Sequence, residues 1–231
     1  MNNIPISNKI PELDLAIKAA EEAGNIILKI YEKGFKTFTK TDNSPVTDAD
    51  LQSNKIIKEI LSVTKHSILS EEDVDDKNRL SNDMVWIIDP LDGTSDFIDK
   101  TGEFTVMIAL VENQKPILGV IAWPTEKTLF VAQKNCGAFR YSDNKWEKIS
   151  VTKISELPKC RTIGSRHHLS DKEKDFIEKI GIKDFTSIGS SLKVGKISSG
   201  QAEVYITTTN KMKEWDTAAS HCIISEAGGK M

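Results

Sequence analysis

The chain has 231 residues, 39% hydrophobic and 28% charged, with 31 Lys and Arg against 34 Asp and Glu for a net charge of −3. That balance suits one large globular domain or two small ones, and the scattered lysines give no pull toward nucleic acid polymers or membrane surfaces. Three distant cysteines without C-x-x-C spacing argue against a disulfide framework or a zinc site, while no signal peptide and no apolar run near the ~20 residues of a membrane span are present, so the expected compartment is the cytoplasm, free or peripheral at the inner membrane.

"PELDLAIKAAEEAGNIILKIYEKG" reads as a helix, with Leu13, Ile17, Ala20, Ile27 and Tyr31 at helical spacing and Gly34 as its C-cap. "SPVTDADLQSNKIIKEILSV" predicts a second helix, capped by Thr47 or Asp48, with Leu51, Ile57, Ile60 and Leu61 on its buried face. "MVWII", 84–88, is a short buried strand that is expected to open into a loop at Asp89. From Glu103 to Tyr141, alternating apolar runs broken by "ENQKP", "PTEK" and "KNCG" predict an antiparallel meander. Beyond "ISVTKISELP" the pattern changes to a strand ("CRTIG"), two helices ("DKEKDFIEKIG", "SLKVGKISSG"), a strand ("AEVYIT") and a helix ("WDTAASHCIISEAGG"). The chain is therefore divided at about residue 150, into an antiparallel α+β half (1–150) and an α/β half (151–231).

Acidic residues gather at the ends of these elements. Asp89 and Asp92 follow the buried strand, with Pro90 stiffening the turn and Gly93 and Thr94 next. A helix beginning there would aim free N–H groups at an anion such as phosphate. Carboxylates facing an anion repel it unless a divalent cation lies between, and hard cations such as Mg²⁺ take oxygen ligands. Glu71 and Glu72 in "LSEED", Asp50 in "SPVTDAD" and Asp216 in "EWDTAAS" add further carboxylates, the last at a helix N-terminus, where the dipole favours it. Singly, each has an ordinary explanation as a turn, a cap or a solvated charge. Their joint occurrence at element ends, beside the Gly-Thr pair, is harder to dismiss.

"DPLDGT" (89–94), "SEE" (70–72) and "WDTAAS" (215–220) together resemble the signatures of the inositol monophosphatase superfamily of Mg²⁺-dependent, lithium-sensitive phosphatases. "SPVTDAD", "GEFTVMIALVENQKPILGVIAWP" and "GSSLK" look like its CysQ branch, the 3'(2'),5'-bisphosphate nucleotidases of sulfur metabolism. The resemblance covers about Pro45 to Gly229. It implies an α/β (α+β) fold, a layered α/β/α/β sandwich, with the site between the two halves. It implies two Mg²⁺ ions and room for a third. Glu71 would hold the first, Asp89 would bridge it to a second held by Asp92 and Asp216, and the Leu91 main-chain carbonyl would be a further ligand. Asp50 would serve a weakly held third ion, directly or through water, and belongs with the catalytic group. Glu71 and Thr94 would orient the attacking water, and the Gly93 and Thr94 amides would hold the phosphate. His168, Ser190 and Lys193 would line the nucleotide side, with Arg166 as an extra phosphate contact.

The implied reaction removes the 3'-phosphate of 3'-phosphoadenosine 5'-phosphate, a small-molecule nucleotide, by a monomer or a homodimer. Hydrolysis of inositol or sugar phosphates, and an inactive metal- or nucleotide-binding relic, are the alternatives. Two departures stand out. "YITTTNKMK" lacks the arginine and Gly-Pro common in the branch, leaving Lys211 or Lys213 as substitutes. The chain stops at "AGGKM", where the family runs on by one or two elements. The expectation is a shortened C-terminal end, an exposed sheet edge and a cost in stability.

Overall fold

The computed structural model describes residues 3–41, 43–210 and 212–231. Its first helix, α1 (Pro11–Lys33), carries Pro11 in the first turn, where a missing N–H costs nothing, and ends at Gly34 with φ 98°. A short antiparallel pair, β1 (Thr37–Thr39) and β2 (Pro45–Thr47), leads into α2 (Asp48–Leu61). Thr47 caps α2, accepting the Ala49 N–H at 3.1 Å.

The main sheet has seven strands in chain order. They are β3 (Ser67–Ser70), β4 (Met84–Asp92), β5 (Thr105–Glu112), β6 (Lys115–Trp123), β7 (Thr128–Gln133), β8 (Gly137–Ser142) and β9 (Lys145–Ile149). Only β3 and β4 run parallel; from β4 onward the expected antiparallel meander is present. Between β4 and β5 lies one short helix, α3 (Thr94–Ile98). On one face, Trp86, Ile88, Val106, Ile108 and Leu110 join a core with α1 and α2. On the other, Val85, Ile87, Met107 and Ala109 pack with Ala218, Ala219, Cys222 and Ile223. Those last four belong to the final helix, α6 (Glu214–Glu226). Cover on both faces is why "MVWII" reads as a continuous apolar run rather than an alternation.

A second sheet of three parallel strands follows, in the order β11-β10-β12: β10 (Arg161–Ser165), β11 (Asp184–Ile188) and β12 (Val204–Tyr205). Between its strands lie α4 (Asp171–Lys179) and α5 (Leu192–Ser198). The architecture is the expected layered α/β sandwich.

Three local expectations need correction. Leu51 is exposed (48%) while Ile57 and Leu61 are buried; the inward face of α2 begins with Ala49, Asp50, Ser53 and Asn54. Its first turns cover an acidic site, so the buried positions there are polar and escape an apolar count. Strand β4 does not open into a loop at Asp89 but continues to Asp92 through a register shift. Finally, "DFTSI" forms β11, a strand too exposed to show a core pattern, whereas the predicted strand "AEVYIT" shrinks to two residues.

Candidate active site

The register shift in β4 builds the centre of the site. Asp89 pairs with Met107 and Asp92 with Thr105, so Pro90 and Leu91 form a bulge between them. Pro90, which has no N–H to give, falls where pairing lapses. The Leu91 N–H turns back to Asp89 Oδ1 at 3.1 Å, and the Ser53 hydroxyl donates to the Pro90 carbonyl at 2.7 Å. Asp216 arrives from the first turn of α6, its Oδ2 accepting the Lys213 N–H at 2.6 Å. Asp89, Asp92 and Asp216 each offer an oxygen within 4.8 Å of the others.

Such a trio is unstable without positive charge. Burial holds Asp89 well above the usual carboxylate range, and Glu71, Asp92 and Asp216 add to the rise. Burial also raises Asp216, to about 7, with Asp92 and Glu71 contributing. Asp92 is raised by burial against the opposing pull of Lys193 and hydrogen bonds from Ser191. An all-oxygen set that resists ionisation by itself suits a hard divalent cation, which would restore the charges and satisfy the lone pairs.

Glu71 reaches this trio because the parallel pairing of β3 with β4 carries on past the strand end. Its N–H bonds the Ile88 carbonyl at 3.2 Å, one residue before Asp89, and the two carboxyl groups share a hydrogen bond. Lys40, from the β1–β2 turn, bridges Glu71 at 2.9 Å and Glu72 at 2.7 Å.

Asp50 and Thr94 form a second arrangement. Asp50 is 1% exposed and bound on both oxygens. Oδ2 accepts the Thr47 N–H (2.7 Å) and hydroxyl (2.6 Å), and Oδ1 accepts the Thr94 hydroxyl at 3.0 Å. The Leu91 carbonyl lies 3.3 Å from the same hydroxyl. Gly93, the N-cap of α3, has φ 91°, and a Cβ there would lie 3.0 Å from the Ser190 Cβ and 3.1 Å from the Glu103 carbonyl oxygen. Glycine is required both for the backbone conformation and for the close approach.

The nucleotide-side candidates are more spread out. Ser190 packs against Gly93 at φ 48°. Lys193 is 8% exposed; its ammonium bonds the Ser190 carbonyl and lies 5.4 Å from the Tyr205 ring centroid. His168 is exposed, on the loop after β10, where it lines a cleft of about 400 Å³ with His167, Ser170, Lys172 and Thr208. Arg166 is committed elsewhere, pairing with Asp96 at 3.2 Å and with Glu103, so it ties this loop to α3. Lys213 is the N-cap of α6, and Lys211 lies outside the described residues.

Sequence reasoning missed several participants. The second serine of "GSSLK", Ser191, donates its N–H to Asp92 Oδ2, and its hydroxyl lies 2.6 Å from that of Thr105, itself 3.3 Å from Asp92. Lys40 and Asn54 had no signal beyond lying near "SPVTDAD"; Asn54 accepts the Ser70 hydroxyl at 2.8 Å and donates to Asp73 at 3.1 Å.

Comparison with known proteins gives a consistent result. Residues 10–231 match the sequence model of the inositol monophosphatase family. A protein of Buchnera aphidicola named 3'(2'),5'-bisphosphate nucleotidase CysQ is 38% identical over 229 residues, 95% of this chain and 83% of its own. The Escherichia coli K12 protein of the same name is 36% identical, covering 94% and 88%. Among solved structures, CysQ from Bacteroides thetaiotaomicron is 37% identical with a TM-score of 0.81, covering 94% of this chain and 86% of its own. An IMPase from Thermotoga maritima reaches 0.82 at 28% identity, covering 95% and 84%.

Proposed function

The chain belongs to the inositol monophosphatase family and is a phosphatase, and from that premise we propose that its substrate is 3'-phosphoadenosine 5'-phosphate, cleaved to AMP and phosphate. The observation that carries this reading is the acidic trio at the end of β4, flanked by the start of α3 and by the "GSSLK" segment. Similarity over nearly the whole chain to proteins named as bisphosphate nucleotidases supports the choice of substrate.

Glu71, Asp89 and the Leu91 carbonyl would hold one Mg²⁺ and Asp92 and Asp216 a second, with Asp89 shared and room for a third ion near Asp50. When bound, these cations supply neutralising charge and Lewis acidity to the phosphate and to the attacking water. The side chains set the geometry. Asp50 fixes the Thr94 hydroxyl, leaving its oxygen to accept a hydrogen bond from water, with Glu71 as the water's other partner. The amides of Gly93 and Thr94, at the opening turn of α3, have no carbonyl four residues back within the helix and can hold phosphate oxygens. Water then attacks in line as the bond from phosphorus to the 3'-oxygen breaks, with no covalent phosphoenzyme. His168, Ser190 and Lys193 would face the adenosine and its 5'-phosphate. Among the described residues no helix is long and apolar enough to cross a membrane.

The test is phosphate release with Mg²⁺ from 3'-phosphoadenosine 5'-phosphate and from inositol 1-phosphate, each with and without lithium. Preference for the nucleotide, inhibited by lithium, is the expected result. Preference for inositol 1-phosphate would keep the site and overturn the substrate. Turnover of neither by folded protein would leave a binding protein.

A further inference from the structure

Glu71 and Asp216 lie 145 residues apart in sequence, on segments that must stay in register if one centre is to use both. The loop from Glu71 to Asp83 joins β3 to β4. Near its start it is tied to α2: Asp73 accepts hydrogen bonds from Asn54 at 3.1 Å and from Lys58 at 2.5 Å. Farther along, in a 3-10 turn spanning Lys77–Ser81, is Arg79.

Arg79 is 7% exposed, and its guanidinium makes four hydrogen bonds to two carboxylates. Nε and Nη2 donate to Asp75 at 2.7 and 3.1 Å, within its own loop. Nη1 and Nη2 donate to Glu214 at 3.3 and 2.6 Å, in the first turn of α6. Glu214 is two residues from Asp216. That turn has no hydrogen bond from an N-cap side chain, because Lys213 occupies the cap position. Packing of Ala218, Ala219 and Ile223 on the sheet holds the middle of α6. In its first turn Trp215 packs against the same cluster and Asp216 accepts the Lys213 N–H, but neither contact ties the helix to the loop that carries Glu71.

We propose that Arg79 is a positioning residue for the metal centre: by clamping Glu214 it holds Asp216 in register with the loop that carries Glu71. The inference rests on the metal-centre reading above. The alternative is an ordinary surface ion pair, worth little. Burial of the guanidinium and its two-sided fork argue against that, since Arg forks gain geometric specificity that a point charge cannot.

The two readings predict opposite signs. Arg79→Gln removes a positive charge near an acidic cluster, and electrostatics alone should tighten divalent cation binding. Loss of positioning should weaken it. The measurement is calorimetric titration of Mn²⁺ into the metal-stripped full chain. Arg79→Gln is expected to bind about 10-fold more weakly, the scale of losing an outer-shell partner. Adding Glu214→Gln to it should cost little more, because the two act as one unit. Arg79→Lys, which keeps the charge and loses the fork, should also weaken binding. Unchanged or tighter Mn²⁺ binding by Arg79→Gln overturns the proposal; if that variant does not fold, unchanged binding by Arg79→Lys does so. Asp89→Asn serves as the reference. Undiminished Mn²⁺ binding there would sink the metal-centre reading itself, whereas its loss beside unaffected Arg79 variants would sink the clamp alone.

Discussion

Asp89 is 1% exposed among like charges, a position that costs free energy unless a cation is supplied. The substitution Asp89→Asn keeps the shape and removes the charge. Turnover should fall by more than about 100-fold, beyond what loss of an outer-shell partner costs. Metal-free protein should melt no lower than the parent, because repulsion is relieved. Phosphate release and thermal melting of the two proteins check both halves; normal turnover would end the metal assignment. Lys193 sits in a similar setting with the opposite sign. Burial lowers its pKa, and Asp92 and Asp96 oppose that shift. Lys193→Ala is expected to reduce kcat/KM for the bisphosphate nucleotide more than for a simple phosphate ester. Equal losses would place the ammonium's role with Asp92 instead of the substrate. Both residues were visible in their motifs, but their burial was not.

At the scale of elements, α6 lies close on the sheet because β6 has no side chain at Gly119. A Cβ there would be 2.6 Å from the Ala219 carbonyl oxygen and 3.1 Å from its Cα, both backbone atoms. Gly119→Ala must therefore push the helix outward, at about 1–3 kcal/mol of stability. Since α6 carries Asp216, metal affinity should fall as well. Urea midpoints and Mn²⁺ titration of the variant would show the two losses together; a stable variant with full affinity would mean that the helix seat tolerates the shift. "WDTAAS" hinted at close packing through its small residues, yet nothing in the sequence said which strand they would meet. The same limit applies to α2, where Leu51 satisfies the helical period and still points outward.

For the whole molecule, the acidic centre links stability to pH and to cations. Burial raises Glu72 to about 7 against the pull of Lys40, and Asp216 is raised to about 7. Their ordinary values are 4.5 and 3.8. Between those values and about 7 the folded chain holds protons that the unfolded chain has released. Their contribution to stability is thus fully present below about pH 4 and is lost as pH rises through about 7. Metal-free protein should show a midpoint that falls between about pH 5 and about pH 8, and saturating Mg²⁺ should reduce the fall by taking the place of the proton on Asp216, leaving the part due to Glu72. Denaturation curves across that range, with and without Mg²⁺, test the sign; a metal-free midpoint that rises would contradict it.

The sequence by itself determined which acidic groups the candidate site has to offer. "DPLDGT" places two carboxylates, a glycine and a threonine within six residues, and bonding rules over so short a span restrict what they can become. Helix α1, the cap at Thr47 and the meander were legible for the same reason: each depends on neighbours a few positions away. Only the tertiary structure decided which distant residues complete the site. Lys40 meets Glu71 across 31 positions, Ser191 meets Asp92 across 99, and Arg79 meets Glu214 across 135. In the sequence each is one more lysine, serine or arginine. Contacts made by chain folding follow no period, and their energy depends on burial, which exists only once both faces of the sheet are covered.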